Sequence, residues 1–393
     1  MAVMDPASVA IVGVGETPVG KHPGRTSLQL YAEVAKKAIV DAGLKKDDID
    51  GVITGGTFLE STFMHSAVLG DYLGLKPTYS TTLDLGGTAY THAIIEAANA
   101  IEAGMCSTVL VAAADPLLSF GAQPAIDLMA AFFSPDFELP FGFTTPVMFA
   151  FAARRHMAVY GTTREQLAQV AVSARKHAAL NPLAQYRKPL TIDDVCASRE
   201  VCTPLRVFDC SPISDGGGAF IVTRRDLAAR SPKPPVYVLG MGEGHDLNYT
   251  NRHRDITESA SAASVAGRKA LAMAGLRPRD LDFAEIYDCF TITLIVTLEA
   301  LGFCERGEGG AFVENGRIEL GGELPVNTHG GLLSHGHPGV PAGIFHIIEA
   351  VKQLREEVEP ERQVPSPHVC LVHGNSALFR DGATVILAND FQG

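Results

Sequence analysis

Part of the first third of the chain returns in its last third. Ala35-Lys-Lys-Ala38-Ile-Val-Asp-Ala-Gly43-Leu44 recurs as Gly267-Arg-Lys-Ala270-Leu-Ala-Met-Ala-Gly275-Leu276, displaced by 232 residues. At the same displacement Asp48-Ile49-Asp50 meets Asp280-Leu281-Asp282, and each copy runs into an apolar strand, Gly51 to Thr54 and Phe283 to Tyr287. Each copy therefore reads as a helix closed by glycine, a short loop and a strand. A period this long means two homologous halves and excludes a solenoid. The 393 residues suffice to bury two ordinary cores.

A second element is shared. Gly86-Gly87 precedes a helix carrying Ile94-Ile95-Glu96-Ala97, and Gly339 precedes one carrying Ile347-Ile348-Glu349-Ala350. Helices that open at glycine turns present unpaired N–H groups and a positive dipole end, suited to an oxyanion or a thioester carbonyl. Two of them, one per half, are placed to converge on one site. Val109 to Ala114 reads as a buried central strand, and Ser214-Asp215-Gly216-Gly217-Gly218 as a tight turn into another. Between Leu117 and Glu200 the composition shifts to Phe, Pro and Met, then to a helix started by Thr162-Thr163-Arg164-Glu165. The expected division is residues 1–116 and 201–230 for the first half, 117–200 for an inserted loop domain, and 234–393 for the second half, with a Pro-rich linker at Ser231 to Pro235.

Charge and cysteine usage exclude several classes. A formal charge of −12 leaves no broad footprint for nucleic acid. The apolar runs Val109 to Leu118 and Ile292 to Leu301 fall short of a membrane span. Met1 to Pro6 has no basic region, and the apolar run Val9 to Val14 is too short for a signal core. The seven cysteines form no CxxC pair, which fits reduced thiols; the expected setting is cytoplasmic.

Four constellations carry polar groups suited to chemistry. The first is Asn327-Thr-His329-Gly330-Gly331-Leu-Leu-Ser-His335-Gly336-His337-Pro338-Gly339. Its histidines lack a defined metal-ligand spacing and no carboxylate sits among them, so no metal is expected. A solvated His-rich loop is the plain reading. The favoured one is a substrate loop in which Gly336 and Pro338 fix the His337 imidazole beside a helix start. The second is Glu285-Ile-Tyr287-Asp288-Cys289-Phe290-Thr291, where Tyr287 and Cys289 offer an acid or base at a strand end, although a buried structural thiol explains Cys289 as well. The third is the glycine turn Asp84-Leu-Gly86-Gly87-Thr88. The fourth is the polar turn Val372-His373-Gly374-Asn375-Ser376. Gly13-Val-Gly15 and Gly240-Met-Gly242 lack the third glycine of a dinucleotide fingerprint.

In this order the motifs resemble the thiolase superfamily, in particular its sterol-carrier-protein-type branch. The resemblance rests on the duplicated halves, the insertion, Asn327-x-x-Gly330-Gly331 followed by Gly336-His337-Pro338, and Tyr287-Asp288-Cys289-Phe290 in place of that branch's His-Asp-Cys-Phe. Val340 stands where the family's Gly-His-Pro-x-Gly has its last glycine. The resemblance covers essentially the whole chain. It implies an α/β fold of five layers, αβαβα, with two five-stranded, mostly parallel mixed sheets, assembled as a dimer and acting on an acyl-CoA. Coenzyme A enters as part of the substrate, and no separate cofactor is implied.

Two departures redirect the chemistry. Family helix length puts the nucleophilic cysteine of a thiolase at Gly87, and no cysteine lies nearby; Cys106 is beyond the helix. Tyr287 replaces the branch's histidine. What remains resembles the steroid side-chain-cleaving aldolases, which lack that cysteine and work with an OB-fold and zinc-ribbon partner. In those relatives tyrosines occupy both the Tyr287 and the His337 positions; here only the first does. The implied reaction is retro-aldol cleavage of a β-hydroxyacyl-CoA to a carbonyl compound and a shorter acyl-CoA, possible for a steroid side chain. Tyr287, with His337 assisting, takes the β-hydroxyl proton. His337 or the amides near Gly87 and Thr88 hold the enolate, Cys289 protonates it, and Asn327, Gly336 and His373 shape the substrate loop. The alternatives are an acyltransferase with a non-standard nucleophile and a non-catalytic subunit that binds acyl-CoA or lipid.

Overall fold

The computed structural model describes residues 7–391 except 58, 60–62, 122, 124–125, 127–128, 131–132 and 247–260. Phe132, one of the phenylalanines between Leu117 and Glu200, lies outside the described residues. The elements run β1 (Val9–Glu16), α1 (Ser27–Asp41), β2 (Gly51–Gly55), α2 (His65–Leu73), β3 (Tyr79–Leu83), α3 (Ala89–Glu102) and β4 (Thr108–Asp115). After β4 come α4 (Thr145–Tyr160), α5 (Arg164–Leu180), β5 (Glu200–Cys202), β6 (Leu205–Arg206) and β7 (Gly216–Arg224). The rest comprises β8 (Val236–His245), α6 (Ser261–Ala274), β9 (Phe283–Ile286), α7 (Thr291–Ala300), α8 (Ile344–Leu354), β10 (Val369–Ser376) and β11 (Asp381–Ala388). Shorter helical turns connect them.

Local chemistry sets these elements. α1 and α5 open at reciprocal capping boxes, Thr26 with Gln29 and Thr163 with Gln166, which satisfy N–H groups that a helix start leaves unpaired. β4 is buried along its whole length, as its unbroken apolar run requires.

Hydrogen bonds join nine strands in the order β3-β2-β4-β7-β1-β8-β11-β10-β9. The internal repeat is visible in this order. β2, β4, β7 and β1 of the first half follow one another as β9, β10, β11 and β8 do in the second, and the halves meet through two residue pairs between β1 and β8. The counterpart of β3 is reduced to a single parallel bridge, Val326 on Ala284, so the described strands number five and four rather than five and five. The expectation of mostly parallel pairing also needs correction. β2/β3, β2/β4 and β9/β10 are parallel, and the other neighbouring pairs are antiparallel. The short link from Ser376 to Asp381 shows why, since a tight turn joins only antiparallel strands.

Three apolar clusters define five layers. α1 and α2 cover the outer face of the first half's strands. α3 and α8 lie together in the middle, between the inner faces of both halves. α6 and α7, with α4 and α5 of the insertion, cover the far face of the second half. The glycine pairs first compared with a nucleotide loop seat helices instead. A Cβ at Gly13 would stand 2.3 Å from the Ala38 carbonyl oxygen of α1, and one at Gly240 or Gly242 would stand 2.1 Å from a carbonyl oxygen of α6.

Candidate functional site

The site forms where the two middle helices begin. α3 starts behind the turn Gly86–Thr88 and α8 behind the turn Val340–Gly343. The turns touch so closely that a Cβ at Gly343 would come within 2.6 Å of the Gly87 carbonyl oxygen. The end of β10 closes the third side, since a Cβ at Gly374 would meet Gly87 O and Thr88 Cα at 3.1 Å.

Tyr287 enters this corner from the end of β9. Its N–H donates to the His373 carbonyl at 2.9 Å, prolonging the β9/β10 ladder by one residue. The Asn327 side chain clamps the residue before it, with Oδ1 accepting from Ile286 N–H at 2.7 Å and Nδ2 donating to Ile286 O at 2.8 Å. Asn327 thus acts on the backbone that carries Tyr287, and its side chain also reaches the Asp288 carboxyl. The phenol meets His337, Oη to Nε2, at 2.8 Å. His337 Nδ1 accepts the Gly339 N–H at 3.2 Å, which leaves the proton of the neutral ring on Nε2 and makes it the donor to Tyr287.

The dyad is held neutral at rest. Burial pushes the Tyr287 phenol well above its usual range, with the neighbouring Cys289 and Asp288 adding to the effect. Burial also brings the His337 imidazole down to about 4. Cys289 is buried beside Thr293, Sγ to Oγ1 at 3.7 Å, and burial raises its thiol to about 12, so it is a neutral S–H.

The glycine turn has no room for a nucleophile. A Cβ on Gly87 would stand 2.4 Å from the Asn375 carbonyl oxygen and 2.5 Å from Cε2 and Cζ of Tyr287. The tyrosine ring occupies the volume a cysteine side chain would need. Cys106 lies at the far end of α3, against Gly51.

The remaining expected residues take distinct places. Thr88 is buried with its N–H on Leu85 O and its hydroxyl on Asp381 O, so it offers no free donor. Gly336, at φ 133°, admits no side chain, because a Cβ would lie 2.4 Å from Val19 and 2.5 Å from Ser214 Oγ. Ser214 Oγ also accepts the His337 N–H at 2.9 Å. His373 is fully buried with Nδ1 on Thr384 Oγ1 at 2.8 Å, and its imidazole is pushed down to about 3. The insertion braces the loop: α5 sends His177 to the Asn327 carbonyl and Arg175 to Ser334 Oγ, and Asn181 just after it reaches the His329 carbonyl.

Three groups received no role from the sequence, Asn375 and Glu285 although they stand in the strings quoted above, and His346, which stands in none. Asn375 is 1 % exposed, and neither end of its amide has a partner among the described residues. Glu285 and His346 join His329 beneath Tyr287. No carboxylate lies among the loop histidines in sequence, yet Glu285 stands beside them in space. These three side chains have the spacing of metal ligands. Glu285 Oε1 accepts the Thr328 N–H at 2.9 Å, and its Oε2 faces His329 Nδ1 at 3.0 Å and His346 Nδ1 at 3.3 Å. The Thr328 hydroxyl lies closer to Glu349 Oε1, at 2.6 Å, than to Glu285, at 3.1 Å, and neither ring nitrogen of His329 has a hydrogen-bond partner among the described residues. His346, on the buried face of α8, had only its helical spacing as a signal.

This duplicated sheet-and-helix architecture, with its site at the paired helix starts, belongs to the thiolase family. Residues 9–203 match the family model for the thiolase N-terminal domain, and residues 242–389 match the thiolase C-terminal domain-like model. The chain is 36% identical over 370 residues to an acetyl-CoA acetyltransferase of Methanothermobacter thermautotrophicus, covering 93% of this chain and 95% of that protein. It is 37% identical over 363 residues to a steroid side-chain-cleaving aldolase of Thermomonospora curvata, covering 89% and 91%. Among solved structures, the Ltp2-ChsH2(DUF35) aldolase matches over 100% of both chains with a TM-score of 0.89 and 33% identity.

Proposed function

We propose that the protein is an acyl-CoA carbon–carbon lyase that cleaves a β-hydroxyacyl-CoA by retro-aldol chemistry, with a steroid side chain the favoured class of acyl group. The observation that carries this is the Tyr287 ring standing where the nucleophile of a thiolase would project from Gly87. Similarity to an acetyl-CoA acetyltransferase supports a second reading, acyl transfer, but that chemistry calls for a nucleophile in the volume the ring fills.

In the proposed reaction Tyr287 first releases its proton to solvent, and the phenolate so formed, held by the His337 Nε2–H, takes the β-hydroxyl proton. The oxygen electrons form the carbonyl, the Cα–Cβ bond breaks, and its electron pair passes to the thioester as an enolate. Because the single N–H of neutral His337 is committed to Tyr287, the enolate oxygen falls to the dipole ends of α3 and α8 and to the Asn375 amide. The Cys289 thiol delivers a proton to the α-carbon, and the proton gained by Tyr287 returns to the thiolate. No proton is gained or lost over the cycle.

The substrate is an acyl-CoA, the assembly a homodimer, and an OB-fold and zinc-ribbon protein the expected partner; similarity to the Ltp2-ChsH2(DUF35) aldolase supports the partner. Y287F tests the assignment. Cleavage is expected to fall by at least about 100-fold, the usual contribution of a positioned acid–base group, with thermal stability retained. Unchanged turnover contradicts it.

A further inference from the structure

Beneath the Tyr287–His337 dyad lies a carboxylate that no lysine or arginine among the described residues pairs. Glu285 precedes Tyr287 by two residues on β9 and is 0 % exposed. The basic side chains of this layer are taken elsewhere, Arg362 by Glu349 and Glu359 and Lys352 by Glu16. Glu285 Oε2 instead faces two imidazoles, His329 Nδ1 at 3.0 Å and His346 Nδ1 at 3.3 Å. A buried charge persists only when it is paired or binds a metal.

Hydrogen bonds alone do not account for this cluster. His329 Nδ1 stands within reach of Oε2, yet neither nitrogen of that buried ring makes a hydrogen bond among the described residues, so its in-plane direction misses the oxygen. His346 Nδ1 does bond to Oε2, which leaves the lone pair of the neutral ring on Nε2, turned toward the acceptor Asp288 Oδ1 at 3.9 Å. One ligand atom from each of Glu285, His329 and His346 lies within 4.8 Å of the other two. Bonds of about 2.0–2.1 Å place tetrahedral ligand atoms about 3.3 Å apart, close to both contacts of Oε2. An ion on the two Nδ1 atoms gives His329 a partner and moves the His346 proton to Nε2, on the side of the Asp288 carboxyl, as metal-bound imidazoles commonly turn toward an outer carboxylate. His335 stands outside the set, with Nδ1 on the Asn181 amide and Nε2 toward Glu16 at 3.7 Å.

We propose that Glu285, His329 and His346 bind one divalent transition-metal ion of the zinc class. Two imidazole nitrogens with one carboxylate oxygen suit Zn²⁺ and disfavour Mg²⁺ and Ca²⁺, which take oxygen ligands. Three protein ligands leave the fourth tetrahedral position to water. The expectation of no metal follows from the histidine loop alone, whereas the carboxylate comes from β9 and the second imidazole from α8. The ion joins β9 just before Tyr287, the loop that carries Asn327 and His337, and α8, so it ties together the three elements on which the dyad stands. Its binding does not rest on the reaction proposed for Tyr287.

The test uses the full chain, produced without a histidine tag and purified without chelator, and reads metal content by mass spectrometry of the elements. A single zinc ion per chain is expected, retained or restored when the chelated and unfolded chain is refolded with Zn²⁺ alone. No ion in either preparation overturns the proposal. H329Q and H346Q are expected to weaken Zn²⁺ binding by more than the about 10–100-fold that changes to outer partners cost. H245N, which breaks the separate cluster of His245 with Glu243 and Asp381, is expected to keep the ion. Loss in H245N with retention in H329Q and H346Q overturns the assignment and makes the ion adventitious. Should the core variants not fold, X-ray absorption at the zinc edge of wild type decides. Two imidazole nitrogens and a carboxylate oxygen at about 2.0–2.2 Å are expected, and a shell of water oxygens overturns the site. The thermal midpoint of wild type is expected to climb with free Zn²⁺ above that of the chelated chain; a midpoint that ignores Zn²⁺ overturns the tie between the three elements. None of these readouts needs turnover, so failure of the lyase reading leaves them unchanged.

Discussion

Gly87 and Tyr287 compete for one volume, and this makes their substitutions interdependent. G87C places a side chain against the phenol ring and the Asn375 carbonyl. Overpacking of this kind costs about 1–3 kcal/mol, so the variant is expected to lose stability in urea without gaining thiolysis. A stable G87C that thiolyses a β-ketoacyl-CoA would contradict the steric account. H337A removes the donor that holds the phenolate and is expected to lower kcat by about 100-fold; an unchanged rate removes His337 from the mechanism. Tyr287 and His337 were legible because each stands in a recognisable string. His346 and Asn375 had no such signal. His346 meets Glu285 and His329 only across the fold, and Asn375 stands out only by a buried amide without a partner among the described residues, which no spacing rule reports.

At the level of elements, the site depends on how firmly the end of β9 is held. Asn327 supplies two hydrogen bonds to Ile286 and sits in the left-handed region at φ 56°. N327A loses both bonds and places Ala in that conformation, so a loss of about 2–4 kcal/mol is expected. Denaturant unfolding measures it, and a loss under about 1 kcal/mol would mean that the clamp is not structural. The halves, the convergent helix starts and the insertion were legible from the repeat and from glycine placement. Strand direction and the missing counterpart of β3 were not, because both follow from link lengths and tertiary pairing. Gly13, Gly15, Gly240 and Gly242 were visible as glycines, but only the structure shows a helix carbonyl pressing on each strand.

The whole molecule carries several imidazoles kept neutral by burial, with His337 and His346 pushed down to about 4 and His373 to about 3. The unfolded chain takes up these protons below about 6.5 while the folded chain does not, so the group costs stability as pH falls from there toward 4. A thermal midpoint dropping steeply over that window is expected; a flat profile would mean that these rings are protonated in the fold. The aromatic residues of the insertion divide in a way their sequence did not reveal. Phe133 and Phe149 join the core, whereas Phe137 and Phe141 are 65 % and 83 % exposed. Among the described residues no helix is long and apolar enough to cross a membrane.

The central claim is that a thiolase frame whose nucleophile position is filled by Tyr287 breaks carbon–carbon bonds by aldol chemistry. Incubation with a β-hydroxyacyl-CoA, and separately with a β-ketoacyl-CoA plus free CoA, each with and without an OB-fold partner, reads it directly by mass spectrometry. A carbonyl compound and a shortened acyl-CoA from the first substrate, without consumption of free CoA, is the predicted result. Thiolysis of the second substrate with the first left intact would contradict it.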